Sequence, residues 1–129
     1  MKSITQESAL RVLAFVDKQN IRNMLEMLIE TDPELYCAGV FTGTAKFIEQ
    51  LSSAKADVLL IDADMTGVAV FSLIQFARVH HPEMKIVGLL SGDDPVRVKA
   101  LMTAGCTSCI FKRTTAEQVL HQLKIKSGS

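Results

Sequence analysis

The chain has 129 residues, enough for one domain and too few for two ordinary ones. Hydrophobic residues make up 48% and aromatic residues only 5%, so a core has to be built from Val, Ile, Leu, Ala and Met, as in a sheet covered on both faces. Fourteen Lys and Arg balance fourteen Asp and Glu, and a net charge of zero gives no electrostatic reason to seek nucleic acid or an anionic membrane.

Taken in chain order, apolar runs of strand length alternate with segments of helical period. Leu10 to Val16 is a nearly continuous apolar run that stops at Asp17, as expected of a strand buried on both faces. From Asn20 the period changes, and Ile21, Met24, Leu25 and Leu28 line one helix face until Asp32-Pro33. Leu35 to Phe41 is a weaker strand, broken at Gly43, and Phe47, Ile48 and Leu51 form a short helical stripe. Asp57 to Ile61 is the clearest buried strand, closed by Asp62.

After Gly67 a helix runs to about His80 with Val70, Leu73, Ile74 and Ala77 inward, and His81-Pro82 ends it. Ile86 to Leu90 is a fourth strand. Asp93-Asp94-Pro95 opens a helix with an acidic cap and an early proline, and Ala104-Gly105 closes it. Cys109 to Phe111 is a short fifth strand. Thr114-Thr115-Ala116-Glu117 reads as a capping box, and Val119, Leu120 and Leu123 supply the last apolar face.

Five strands, each followed by a helix, imply a parallel α/β sheet with right-handed crossovers and helices on both faces. Five units are too few to close an eightfold barrel. An open doubly wound sheet remains, and such sheets bind ligands at the carboxyl ends of their strands. One domain is expected over residues 1–129, with its core at about 10–125.

Three of the strands end in charge: Val16-Asp17-Lys18, Ile61-Asp62 and Phe111-Lys112. If these strands are neighbours, two carboxylates and two ammonium groups share one pocket. Clustered carboxylates can hold Mg²⁺ through hard oxygen ligands, and a carboxylate beside a cation can receive a phosphoryl group. Any one Asp at a strand end is more often just the start of a loop; the joint pattern carries the argument.

At these residues the sequence resembles a receiver domain of a bacterial two-component response regulator, of the LuxR/NarL type attached to helix-turn-helix DNA-binding domains. The carriers are Val16-Asp17, the segment Asp57 to Gly67 with its Asp62-x-x-Met65-x-Gly67 pattern, and Ala104-Gly105 followed seven residues later by Lys112. The resemblance implies a five-stranded flavodoxin-like sheet in the order 2-1-3-4-5. It implies that Asp62 is the phosphoacceptor and that Lys112 pairs with the phosphoryl oxygens. Mg²⁺ would be held by Asp17, Asp62 and the backbone carbonyl of Asp64.

The departures from the family pattern point the other way. The second acid after the first strand is replaced by Lys18, whose ammonium can take the place of the divalent ion and make its binding weak or absent. Counting back 22 residues from Lys112 gives Leu90, where the family has a Ser or Thr hydroxyl. Ser91 is next to it but, by strand alternation, would point to the opposite side. The switch aromatic is replaced by Cys109, and the Pro of the usual turn by Thr66.

The other constellations are weak. Cys106 and Cys109 form a C-x-x-C, but it runs from a turn into a strand, not at a helix N-terminus where a dipole would lower a thiol pKa. Cys37, His80, His81 and His121 show no metal-ligand spacing. Gly39, Gly43 and Gly67 make no nucleotide fingerprint, and no Gly-x-Ser-x-Gly is present. Phe71 and Phe76 read as core or flanking contacts.

The odd cysteine count, the polar Met1–Ser8 and the lack of an apolar stretch of roughly 18 residues favour a reducing, cytoplasmic setting without a membrane span. Lys126–Ser129 reads as a frayed end or a cut point. The expectation is a signalling domain, not a metabolic enzyme. Its partner would be a histidine kinase or another signalling protein, and DNA would be reached only through an effector domain outside this chain. The alternative is a phosphorylation-independent pseudo-receiver acting as a dimerisation or interaction module. The weakest reading is a thiol-redox domain through Cys106 and Cys109. By the resemblance, output or homodimerisation would use surfaces around Val96–Thr103 and Thr114–Lys124, or the first and fifth helices.

Overall fold

Strands and helices alternate throughout: β1 (Leu10–Phe15), α1 (Gln19–Glu30), β2 (Leu35–Phe41), α2 (Thr44–Ser53), β3 (Val58–Asp62), α3 (Val70–His80), β4 (Lys85–Leu90), α4 (Pro95–Ala104), β5 (Ser108–Phe111) and α5 (Ala116–Lys124). The structure, a computed structural model, describes residues 9–16, 19–53, 55–65 and 69–125. All strand pairs are parallel, and the order is β2-β1-β3-β4-β5, the doubly wound arrangement expected.

The two-residue period of the strands divides the core in two. Val12, Ala14, Val58, Leu60, Val87, Leu89 and Ile110 face Leu25 and Ile29 of α1 and Leu123 of α5. Leu13, Phe15, Leu59, Ile61, Ile86 and Leu90 face Phe47 and Leu51 of α2, the inner side of α3, and Leu101 of α4. The inner side of α3 is Val70, Leu73, Ile74 and Ala77, as its periodicity predicts. With so few aromatic residues, the one ring stack in this layer, Phe15 on Phe47 at 4.5 Å, anchors α2 to the sheet.

The edge strand β2 explains its own weak pattern. Only Leu35 and Val40 are buried in it. Its pairing with β1 slips by one residue, so that Val12 opposes Cys37 but Leu13 opposes Gly39. A Cβ at Gly39 would lie 2.6 Å from the Phe41 ring, so the position has to stay bare.

Asp94 caps α4 through the Val96 amide, with Pro95 in the first turn, as expected. Gly105 closes α4 at φ 138°, where a side chain would be strained and would meet Arg78. The capping box of α5 sits one residue later than expected. Thr115 and Gln118 exchange the two bonds, not Thr114 and Glu117. The motif fits both registers, and the fold selects the second because the Thr114 amide is already spent on the Phe111 carbonyl in the turn after β5.

Two cations, half-buried Arg78 and buried Lys85, were not legible in the sequence. The Arg78 guanidinium, at the end of α3, donates to the carbonyls of Gly105, Pro82 and Met84 and to the Thr107 hydroxyl. It ties the α3–β4 and α4–β5 connections together. Lys85, the first residue of β4, is buried and donates to the carbonyls of Gln122 and Ile125, which the last turn of α5 leaves without helical partners. Arg78→Ala would leave several part-buried carbonyls unsatisfied. A loss of about 3 kcal/mol is expected in urea unfolding, and a loss below about 0.5 kcal/mol would show that water replaces the guanidinium fully.

Candidate functional site

Register carries the site. Asp62, the last residue of β3, stands beside Leu89 of β4, and Leu90 of β4 stands beside Phe111 of β5. The backbone continues the ladder past the strands: the Ala63 amide bonds the Leu89 carbonyl at 2.9 Å, and the Lys112 amide bonds the Leu90 carbonyl at 2.7 Å. Asp62 and Lys112 therefore leave the sheet at the same edge, separated by one strand.

Asp62 is only 3% exposed, and burial of a lone carboxylate at such a position is costly. The Lys112 ammonium meets its Oδ1 at 2.9 Å, and the Asp64 amide donates to the same oxygen at 2.9 Å. The pairing of Asp62 with Lys112 expected from the sequence is thus present. Asp17, Lys18, Thr66 and Gly67 lie outside the described residues, as does their part of the pocket.

The Asp64 carboxylate is the feature that sequence reasoning missed; only its carbonyl had been assigned a role. Its Oδ2 accepts from Lys112 at 3.2 Å and from the Ser91 amide at 2.7 Å. Ser91 lies just beyond β4, and it meets Asp64 through its backbone amide. Arg97, in the first turn of α4, brings its Nε to 4.0 Å from Asp64 Oδ1 while its other end bonds the Ala63 carbonyl and its plane lies over Phe71. No spacing rule links Arg97 or Ser91 to Asp64; only the packing of α4 across the strand ends brings them together.

Burial penalises the charged form of Asp64, yet the Lys112 ammonium and the Ser91 amide outweigh it and hold the carboxyl below its ordinary 3.8. Burial likewise disfavours the Lys112 ammonium, but Asp62 and Asp64 together hold it above 10.5. Among the described residues no group of three or more His, Cys, Asp or Glu is placed to hold a metal ion.

The positions that the resemblance assigns to a switch hold Leu90 and Cys109. Leu90 points into the layer under α3 and α4 and is buried there. Cys109 packs on the edge of the same layer beside buried Cys106, and their proximity pushes the Cys106 thiol up and that of Cys109 down. The pair stands between the Gly105 turn and β5, not at a helix start. His80 and His81 end α3, His80 resting on Phe76 and His81 on the Leu51 carbonyl. No described helix is long and apolar enough to cross a membrane.

Linkage gives the three-charge cluster a pH signature. Asp64 contributes stability that is fully present above 3.8 and is lost as pH falls through its lowered value. Lys112 contributes stability that is present below 10.5 and is lost as pH rises through its raised value. The stability difference between wild type and Asp64→Asn should therefore be a plateau of about 1 kcal/mol between those limits that shrinks at both ends, read from urea midpoints against pH. A flat difference below pH 3.8 would mean that Asp64 is not held by Lys112.

The family model of the response regulator receiver domain matches residues 12–124, and the chain belongs to that family. The structure is similar to the signal receiver domain of the response regulator NarL from Mycobacterium tuberculosis, at TM-score 0.80, 17% identity, and coverage of 89% of this chain and 93% of that one. It is similar to the chemotaxis protein CheY4 of Vibrio cholerae, at TM-score 0.78 and 20% identity over 90% and 97% of the two chains. The isolated receiver domain of RcsB from Salmonella enterica serovar Typhimurium, solved with the phosphomimetic BeF3⁻, gives TM-score 0.76 and 19% identity over 92% and 91%. At these identities the likeness concerns the fold. No curated protein matches the sequence.

Proposed function

We propose that this receiver domain of a response regulator accepts a phosphoryl group on Asp62 from a partner histidine kinase, with a weakened switch behind the acceptor. The observation that carries the proposal is the buried Asp62 carboxylate paired at 2.9 Å with Lys112 at the carboxyl edge of the sheet. A carboxylate oxygen attacks phosphorus in line as the bond to the donor imidazole breaks, and the proton balance is completed at the departing imidazole. Lys112 would meet the charge on the transferred oxygens. Mg²⁺, held by Asp17, Asp62 and the Asp64 carbonyl, would neutralise part of that charge when bound. Lys18 opposes the ion, since exchanging a carboxylate for an ammonium changes the local charge by two units.

A second reading, a phosphorylation-independent pseudo-receiver, is favoured by a separate observation. Leu90 offers no hydroxyl to a phosphoryl oxygen, and a small free cysteine, Cys109, stands where the family switch carries a mobile aromatic ring. Modification of Asp62 would then have little to pull on. Exposed Val96 and Met102 on α4, and Met24 and Met27 on α1, suit a docking role in either reading. A cleft of about 320 Å³ beside Lys112, lined by Met24, Leu25, Leu28 and Val119, separates α1 from α5.

The test is intact-mass measurement after incubation with acetyl phosphate and Mg²⁺. One phosphoryl group is expected on the wild type, mapped to Asp62 and absent from Asp62→Asn. Lys18→Asp should bind Mg²⁺ about tenfold more tightly by NMR titration. A wild type that stays unmodified, alongside a Lys18→Asp protein that is modified, would select the pseudo-receiver reading. Equal Mg²⁺ affinity of the two proteins would show the charge argument to be wrong.

A further inference from the structure

We propose that the Asp64 carboxylate is a resident anion: it fills, from within the chain, the cradle of donors that an incoming phosphoryl group would need. The proposal rests on the reading of this edge as the phosphoryl site and deepens it. Two donors converge on Asp64: the Lys112 ammonium at 3.2 Å and the Ser91 amide at 2.7 Å. A third, Arg97 Nε, is buried without a hydrogen-bond partner and stands 4.0 Å from Asp64 Oδ1.

An ammonium, a backbone amide and a guanidinium around one small acceptor form a site for an oxyanion. Here a carboxylate of the same chain occupies it. Asp64 stands two residues beyond Asp62 on a turn whose amide is bonded to Asp62, so the occupant is held in place at high effective concentration.

Two consequences follow. An external anion has to displace Asp64, and after displacement it adds its own charge next to two carboxylates served by one ammonium. The unmodified domain also already has Lys112, Ser91 and α4, through Arg97, drawn onto an anion. Its resting arrangement at the head of α4 thus resembles what a phosphoryl group would create, which accounts for how the fold tolerates Leu90 and Cys109.

The experiment follows the Ser91 amide and the Lys112 side-chain resonances by NMR while orthophosphate or acetate is added, without metal, to the whole chain. Wild type, Asp64→Ala, Asp64→Asn and the charge control Asp93→Ala are compared; Asp93 is exposed at the same edge and touches only Arg113. In Asp64→Ala the Ser91 amide should move upfield, and either anion should return it downfield at about tenfold lower concentration than produces any response in wild type or Asp93→Ala.

Should Asp64→Ala not fold, the near-isosteric Asp64→Asn decides. Its Ser91 amide should likewise move upfield and answer either anion at lower concentration than in wild type, and an unmoved amide overturns the proposal. An unmoved Ser91 amide in Asp64→Ala, or anion binding no tighter than in Asp93→Ala, overturns it equally. The outcome is independent of phosphorylation. Failure of Asp62 to be modified in every variant would sink the acceptor reading and leave the anion result standing.

Discussion

One lysine ammonium held between two carboxylates, one of them buried in the sheet, sets the terms for the rest of this molecule. A carboxylate buried as Asp62 is needs a partner, and Lys112 reaches it only because β4 and β5 run parallel and in register up to Leu90 and Phe111. The register in turn depends on the two apolar layers that alternate along β4, with Leu89 under α1 and α5 and Leu90 under α3 and α4. A slip of one residue would bring Leu90 into the polar edge and bury a charge in its place. Packing and site are two readings of the same alignment.

That alignment is also why the periodicity of the sequence was informative. Strand runs bounded by Asp, and the inward set of α3, could be read because burial enforces periods of two and 3.6 without reference to anything distant. The pairing of Asp62 with Lys112 was reachable for a related reason: both terminate strands, and topology brings strand ends together. The Asp64 carboxylate, Ser91 and Arg97 were not legible, since their meeting depends on loop geometry and on how α4 lies across the edge. Arg78 and Lys85 were missed for the opposite reason. Each is a charged residue whose partners are backbone carbonyls, and carbonyls leave no mark in a sequence. The displaced capping box of α5 shows the limit of local motifs, since two registers satisfied the pattern and a single turn amide chose between them.

The family relation and the residues at the switch positions pull in different directions, and the geometry indicates why both can hold. A receiver needs an acceptor, a cation and a path from the acceptor to a distant face. The residues proposed for the first two, Asp62 and Lys112, are in contact. On the proposed path, Leu90 is packed as a core residue and Cys109 lies half-buried at the edge of the same layer. Coupling requires an element with two arrangements of similar energy, and well-packed side chains have only one.

Strand β4 has a further property that follows from its two ends. At its start Lys85 is fastened to the final carbonyls of α5, and just past its finish Ser91 is fastened to Asp64. An extended strand of six residues is close to inextensible, with a rise of about 3.3 Å per residue. It is therefore pinned at opposite edges of the sheet, one end to the close of α5 and the other to the acidic edge.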